Sequence, residues 1–146
     1  MKIMVINGPN LNMLGIREKE IYGNESYESL VKLINSEAEK RDIEVSIRQS
    51  NHEGILIDWI QEAYFENYDG IVINPGGYTH TSVALHDAVK AISPLPVVEV
   101  HISDISLREE FRKISMLESV VLTQIKGLGF DGYVKALDEI IRHYES

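Results

Sequence analysis

A chain of 146 residues, 44% of them apolar, is one domain's worth with ample material for a core, which excludes a disordered segment. The lack of cysteine excludes disulfides, thiolate catalysis and cysteine-based metal sites, and fits a reducing compartment. A net charge of −9, from 23 acids against 14 bases, argues against nucleic acid or an anionic membrane as a partner.

The amino-terminal run "MKIMVIN" is too short for a signal peptide and reads as a first strand, "KIMVIN" from Lys2. A polar, glycine-punctuated loop follows, "NGPNLNMLGIREKEIYG" from Asn7 to Gly23, of a length that is usually functional. Tyr27, Leu30, Val31, Ile34 and Ala38 then follow helical spacing. The second strand, "IEVSIRQ" from Ile43, alternates apolar with polar residues, so one side looks wet. Leu56, Trp59, Ile60 and Ala63 mark a second helix, and "GIVIN" from Gly70 a buried third strand. Ala84, Leu85, Ala88 and Val89 mark the third helix, and "PVVEVH" from Pro96 the fourth strand. Leu107, Phe111 and Ile114 predict a short helix whose start, "SLRE", matches a capping box of Ser106 and Glu109. A fifth strand, "SVVLTQI" from Ser119, precedes a last helix carrying Val134, Leu137, Ile141 and Tyr144.

Strict β–α alternation predicts an α/β fold: a five-stranded parallel sheet with helices on both faces, in a single domain over residues 1–146. Polar second and fifth runs at the edges match the flavodoxin-like order 2-1-3-4-5, a three-layer sandwich. No stretch reaches membrane-spanning length, so the cytoplasm is the expected location.

In such sheets ligands bind beyond the carboxyl ends of the strands, where the order reverses. The residues to read are therefore Asn7 to Asn10, the run "NPGGYTHTS" from Asn74 to Ser82, and "HISD" from His101 to Asp104. Taken singly, each is ordinary turn chemistry; their convergence on one crevice is what singles them out. Glu99 and His101 point to the same face of the fourth strand. A carboxylate in a central strand needs a partner, and beside an imidazole it favours the charged ring. The plain alternative is a structural ion pair; the functional reading is a proton donor working near neutral pH. Arg17, Arg108 and Arg112 are the candidates for local positive charge. The backbone N–H groups of Ile102 and Ser103 sit where a carboxylate can be cradled.

In the long loop Arg17 precedes Tyr22 by five residues. About one tyrosine in a thousand is ionised at pH 7. A guanidinium about 4 Å away contributes roughly 4 kcal/mol at an effective dielectric of 20, worth about three pKa units. An Arg17–Tyr22 pair can thus supply a general base, against the simpler reading of an aromatic that closes a loop.

Other patterns fail on context. "GLGFDG" matches a dinucleotide fingerprint, but no further strand and acid follow it before Ser146, so tight packing of the last helix is expected. The first loop has no Ser or Thr before Ser26 to hold a flavin phosphate, and no clustered acids for a phosphoacceptor. Lys126 alone is weak evidence for Schiff-base chemistry, and His80 and His86 are poorly spaced for one metal.

The motifs "INGPNLNMLG", "R-x-x-x-x-YG" from Arg17 to Gly23, "RQSNHEG", "NPGGYTHTSVAL", "VEVHIS", "REEFR" and "GLGFDGY" span the chain in order. Together they resemble the type II 3-dehydroquinate dehydratases. The resemblance implies dehydration of 3-dehydroquinate to 3-dehydroshikimate through an enolate, with no cofactor, metal or Schiff base. It implies Tyr22 as the base, Arg17 as the stabiliser of its tyrosinate, and Asn10 as the holder of a water at the enolate oxygen. His101 is implied as the acid, oriented by Glu99. Asn74, His80 and Arg112 are implied to bind substrate hydroxyls, and the amides of Ile102 and Ser103 the carboxylate. Arg108 is implied to support the site, and Asp87 to reach a neighbouring subunit in a homododecamer built from trimers. The chain departs from the family pattern at His86, usually arginine, at Asp104, usually asparagine, at Ser106, often histidine, and at "KIS", often "HHS". The alternatives are a flavodoxin-like binding protein for a small polyhydroxylated acid, without turnover, and another lyase on the same scaffold.

Overall fold

A computed structural model describes residues 1–16 and 25–145. The loop pair Arg17 and Tyr22 lies outside the described residues. The five strands are β1 (Lys2–Asn7), β2 (Glu44–Gln49), β3 (Gly70–Asn74), β4 (Val97–His101) and β5 (Thr123–Lys126). Every pairing is parallel, and the order is β2-β1-β3-β4-β5, as the polarity of the edge runs predicts.

The four α-helices are α1 (Tyr27–Lys40), α2 (Glu53–Phe65), α3 (Val83–Ala91) and α4 (Asp131–Glu145). Alternation along β1 sorts them into layers. Ile3 and Val5 pack with Leu30 and Ile34 of α1 and with Ala136, Leu137 and Ile140 of α4. Met4 and Ile6 point the other way, against Leu56 and Ile60 of α2 and Leu85 and Val89 of α3. Side chains of successive strand residues leave opposite faces, so one apolar strand feeds two cores. No helix among the described residues is long and apolar enough to cross a membrane.

The expected helix over Leu107, Phe111 and Ile114 does not form. Two single 3-10 turns stand there, Ile105–Leu107 and Glu110–Arg112, and all three apolar side chains are exposed. The expected Ser106–Glu109 capping box is replaced by Asp104. Its Oδ1 accepts Ser106 N–H at 3.0 Å and the Ser106 hydroxyl at 2.5 Å. That local bond competes with helix formation. Glu109 instead pairs with Arg112 at 2.6 Å and starts the second turn.

Strand β5 begins at Thr123 rather than Ser119, because the N–H groups of Val120 and Val121 turn back to Leu117 O. In α4 the buried stripe is Tyr133, Ala136, Leu137 and Ile140, one step from the expected phase, and Tyr144 is exposed. Ala84, expected to face the core, is exposed on α3 beside buried Leu85. The side of β2 expected to be wet is so at Glu44, which is exposed, but is covered at its far end. Arg48 pairs with Glu62 of α2 at 2.6 Å and lies over the Trp59 ring.

Candidate active site

The carboxyl ends of β1 and β3 lie in register, Asn7 opposite Asn74. Their loops touch at Gly8, where a Cβ would come within 2.6 Å of Pro75 O, so only glycine admits the approach. Gly8 N–H donates to Asn74 O at 2.8 Å. Asn10 takes the left-handed conformation, φ 70°, which asparagine tolerates better than most residues. Its N–H donates to Asn51 Oδ1 at 3.0 Å, while Tyr78 donates its hydroxyl proton to Asn51 O at 2.9 Å. Asn51 therefore ties together the loops that follow β1, β2 and β3.

Over these loops opens a cleft of about 210 Å³. Asn10, Leu11 and Met13 line it from the first loop, Asn74, Gly76 and His80 from the second, and His101, Ile102 and Ser103 from the end of β4. Ile105, Arg108 and Arg112 close the outer side. Two guanidinium groups on the rim of a chain with net charge −9 mark the place where an anion is welcome.

Behind His101 lies Glu99, fully buried. His101 Nε2 meets Glu99 Oε2 at 2.5 Å, as the two-residue spacing predicts. Thr79 donates its hydroxyl proton to the same oxygen at 2.5 Å. Ser115 donates to Oε1 at 3.0 Å, and its own oxygen accepts Leu117 N–H at 3.2 Å. Burial pushes the Glu99 pKa up, but His101, Thr79 and Ser115 more than offset it, and the net direction is downward. The glutamate is thus a carboxylate that only accepts, and it fixes the ring of His101 with Nε2 inward.

His80 Nδ1 donates to Ile114 O at 2.7 Å, which leaves Nε2 as an acceptor for a ligand hydroxyl. His86 Nδ1 donates to Met116 O at 2.6 Å. The two histidines fasten the segment that carries Ser115, and Met116 N–H adds a bond to Thr79 O at 2.6 Å.

The expected site residues Asn10, Asn74, His80, His101, Ile102, Ser103 and Arg112 all meet at this cleft, with Glu99 behind them. Asp87 does not line it; it is exposed on α3. Thr79, Ser115 and Asn51 are absent from the expected set. Thr79 and Ser115 lie 20 and 16 residues from Glu99, and single hydroxyls at such separations carry no local signal.

A sequence profile described as dehydroquinase class II matches residues 1–141. This chain belongs to the type II dehydroquinase family. A 3-dehydroquinate dehydratase of Fusobacterium nucleatum is 58% identical over 146 residues, covering 99% of each chain. One from Clostridium beijerinckii is 56% identical, covering 94% of this chain and 93% of that protein. The crystal structure of type II dehydroquinase from Butyrivibrio crossotus superposes with a TM-score of 0.94 at 59% identity, covering 97% of each chain. That of Propionibacterium acnes gives 0.90 at 37%, covering 97% of this chain and 96% of that one. As a dehydroquinase, the protein is a hydro-lyase.

Proposed function

We propose that this dehydroquinase converts 3-dehydroquinate to 3-dehydroshikimate, a step of the shikimate pathway, by elimination through an enolate. The reading is carried by His101, which lines the cleft while an ionised, fully buried Glu99 holds its inner nitrogen. Tyr22, as tyrosinate held by Arg17, removes the proton at C2. The electron pair left behind forms the enolate, whose oxygen is met by a water on Asn10. As the enolate collapses, the bond to the leaving hydroxyl breaks, and His101 supplies the proton that turns that hydroxyl into water.

The other groups bind and orient. The N–H groups of Ile102 and Ser103 take the substrate carboxylate, with the Arg108 and Arg112 charges nearby. Asn74, His80 and Arg112 hold the ring hydroxyls, and His80 can do so as an acceptor through Nε2. No step is assigned to a metal or a Schiff base. We place the protein in trimers that build a dodecamer, with Asp87 reaching a neighbour's cleft. Exposed Leu107, Phe111 and Ile114 beside the cleft fit coverage by a second copy.

The test is purified protein mixed with 3-dehydroquinate, followed by the ultraviolet absorbance of the conjugated enone. Growth of that band supports the reading. Saturable binding without it makes the protein a binding module instead. Light scattering checks the assembly.

A further inference from the structure

The "GLGFDGY" stretch binds no dinucleotide on sequence grounds, yet it brings a buried hydroxyl behind the cleft, onto Asn74 of its lining. Gly127 and Gly129 take left-handed φ values of 80° and 61°, and their N–H groups bond to His101 O and Ile102 O at 3.3 and 3.0 Å. The turn is thereby pinned to the end of β4. At Gly132 a Cβ would lie 3.3 Å from Val100 Cγ1, so the start of α4 sits tight against the sheet. Tyr133, only 1% exposed, then reaches across to β1 and β3.

Its hydroxyl donates to Asn7 Oδ1 at 2.7 Å and accepts from Asn74 Nδ2 at 2.9 Å. Asn74 Oδ1 accepts Gly76 N–H at 3.1 Å. The amide has one workable orientation. Flipped, Nδ2 would face the Gly76 N–H donor, and Oδ1 would face a hydroxyl whose proton is already given to Asn7. Burial pushes the Tyr133 pKa well up, partly offset by Asn74, so the hydroxyl keeps its proton at any working pH.

We propose that Tyr133 is a positioning residue for substrate binding: through its hydroxyl it holds the Asn74 amide so that the second Nδ2 hydrogen meets a ring hydroxyl of the substrate. This rests on the reading of Asn74 as a substrate ligand. The glycines of the preceding turn then serve the site by fixing where that hydroxyl lies.

The experiment is steady-state kinetics on 3-dehydroquinate with Tyr133→Phe, Asn74→Ala and the double variant, alongside thermal melts. Loss of one hydrogen bond predicts that Tyr133→Phe raises KM about fivefold and changes kcat less than about twofold. Asn74→Ala raises KM at least as far, and the double variant matches Asn74→Ala alone. A normal KM in Tyr133→Phe with only a lowered Tm makes the tyrosine merely structural and overturns the proposal. So does a full fivefold effect added on top of Asn74→Ala. A normal KM in Asn74→Ala overturns the ligand reading at its own variant, and the proposal with it. If Tyr133→Phe does not fold, Gly132→Ala decides. It keeps every hydrogen-bonding group but shifts α4 by a few tenths of an ångström, and should raise KM about twofold; an unchanged KM there overturns the proposal.

Discussion

At the level of single residues, the division of labour follows from which atoms are already spoken for. Glu99 accepts from His101, Thr79 and Ser115, and has no proton to lend. His101 gives its inner nitrogen to that carboxylate, which leaves the other ring nitrogen for chemistry. His101→Ala should therefore lower kcat by roughly 10²–10⁴-fold with a much smaller change in KM; an effect confined to KM would remove the assigned role as acid. Tyr22→Phe should also cut kcat far more than it weakens binding, and near-normal turnover would exclude this tyrosine as the base. Asp104 follows Ser103, whose amide is proposed to take the substrate carboxylate, but is turned to Ser106, and Lys126 draws its pKa down after the larger effect of those Ser106 bonds. Asp104→Asn should lower KM modestly, by less than about threefold, because the charge removed is already half answered. A raised or unchanged KM would show that its capping role outweighs its charge. Asp104 and Ser106 bond to each other, so the two act as one local cap.

At the level of elements, the strands were readable because apolar runs of the right length leave few alternatives. Lys2–Asn7 and Gly70–Asn74 fall where the sequence puts them. The segment after β4 departs from its apolar spacing for a definite reason. Leu107, Phe111 and Ile114 have helical spacing, but spacing shows only that residues share a face, not that a partner covers it. Likewise Ser106 has the identity of a cap but spends its proton on Asp104. The site residues that sit at strand ends were legible because topology points there; Thr79 and Ser115 were not, because their link to Glu99 exists only in three dimensions. Arg41 gives a test of how elements are joined. It ends α1 and forks onto Asp138 of α4 at 2.6 and 3.2 Å, with Glu37 at 2.7 Å. Arg41→Lys loses the fork and should cost about 1 kcal/mol in urea unfolding, with activity unchanged. Loss of activity instead would mean that the α1–α4 junction is coupled to the cleft through Tyr133.

For the whole molecule, Glu99 makes stability depend on acidity. Its folded pKa lies below its ordinary value, so its contribution is fully present above the unfolded pKa and is lost as pH falls through the folded one. Unfolding free energy should fall as the medium is acidified below the ordinary glutamate range, and Glu99→Gln should flatten that slope. Identical slopes in both proteins would place the acid sensitivity elsewhere. The two histidine stitches act on the main chain. His80 and His86 hold the backbone carbonyls of Ile114 and Met116 through Nδ1–H, and Met116 N–H returns a bond to Thr79 O. The strap over the acid pair is thus buttoned along its backbone, so exchanging the side chains of Ile114 or Met116 leaves every fastener in place.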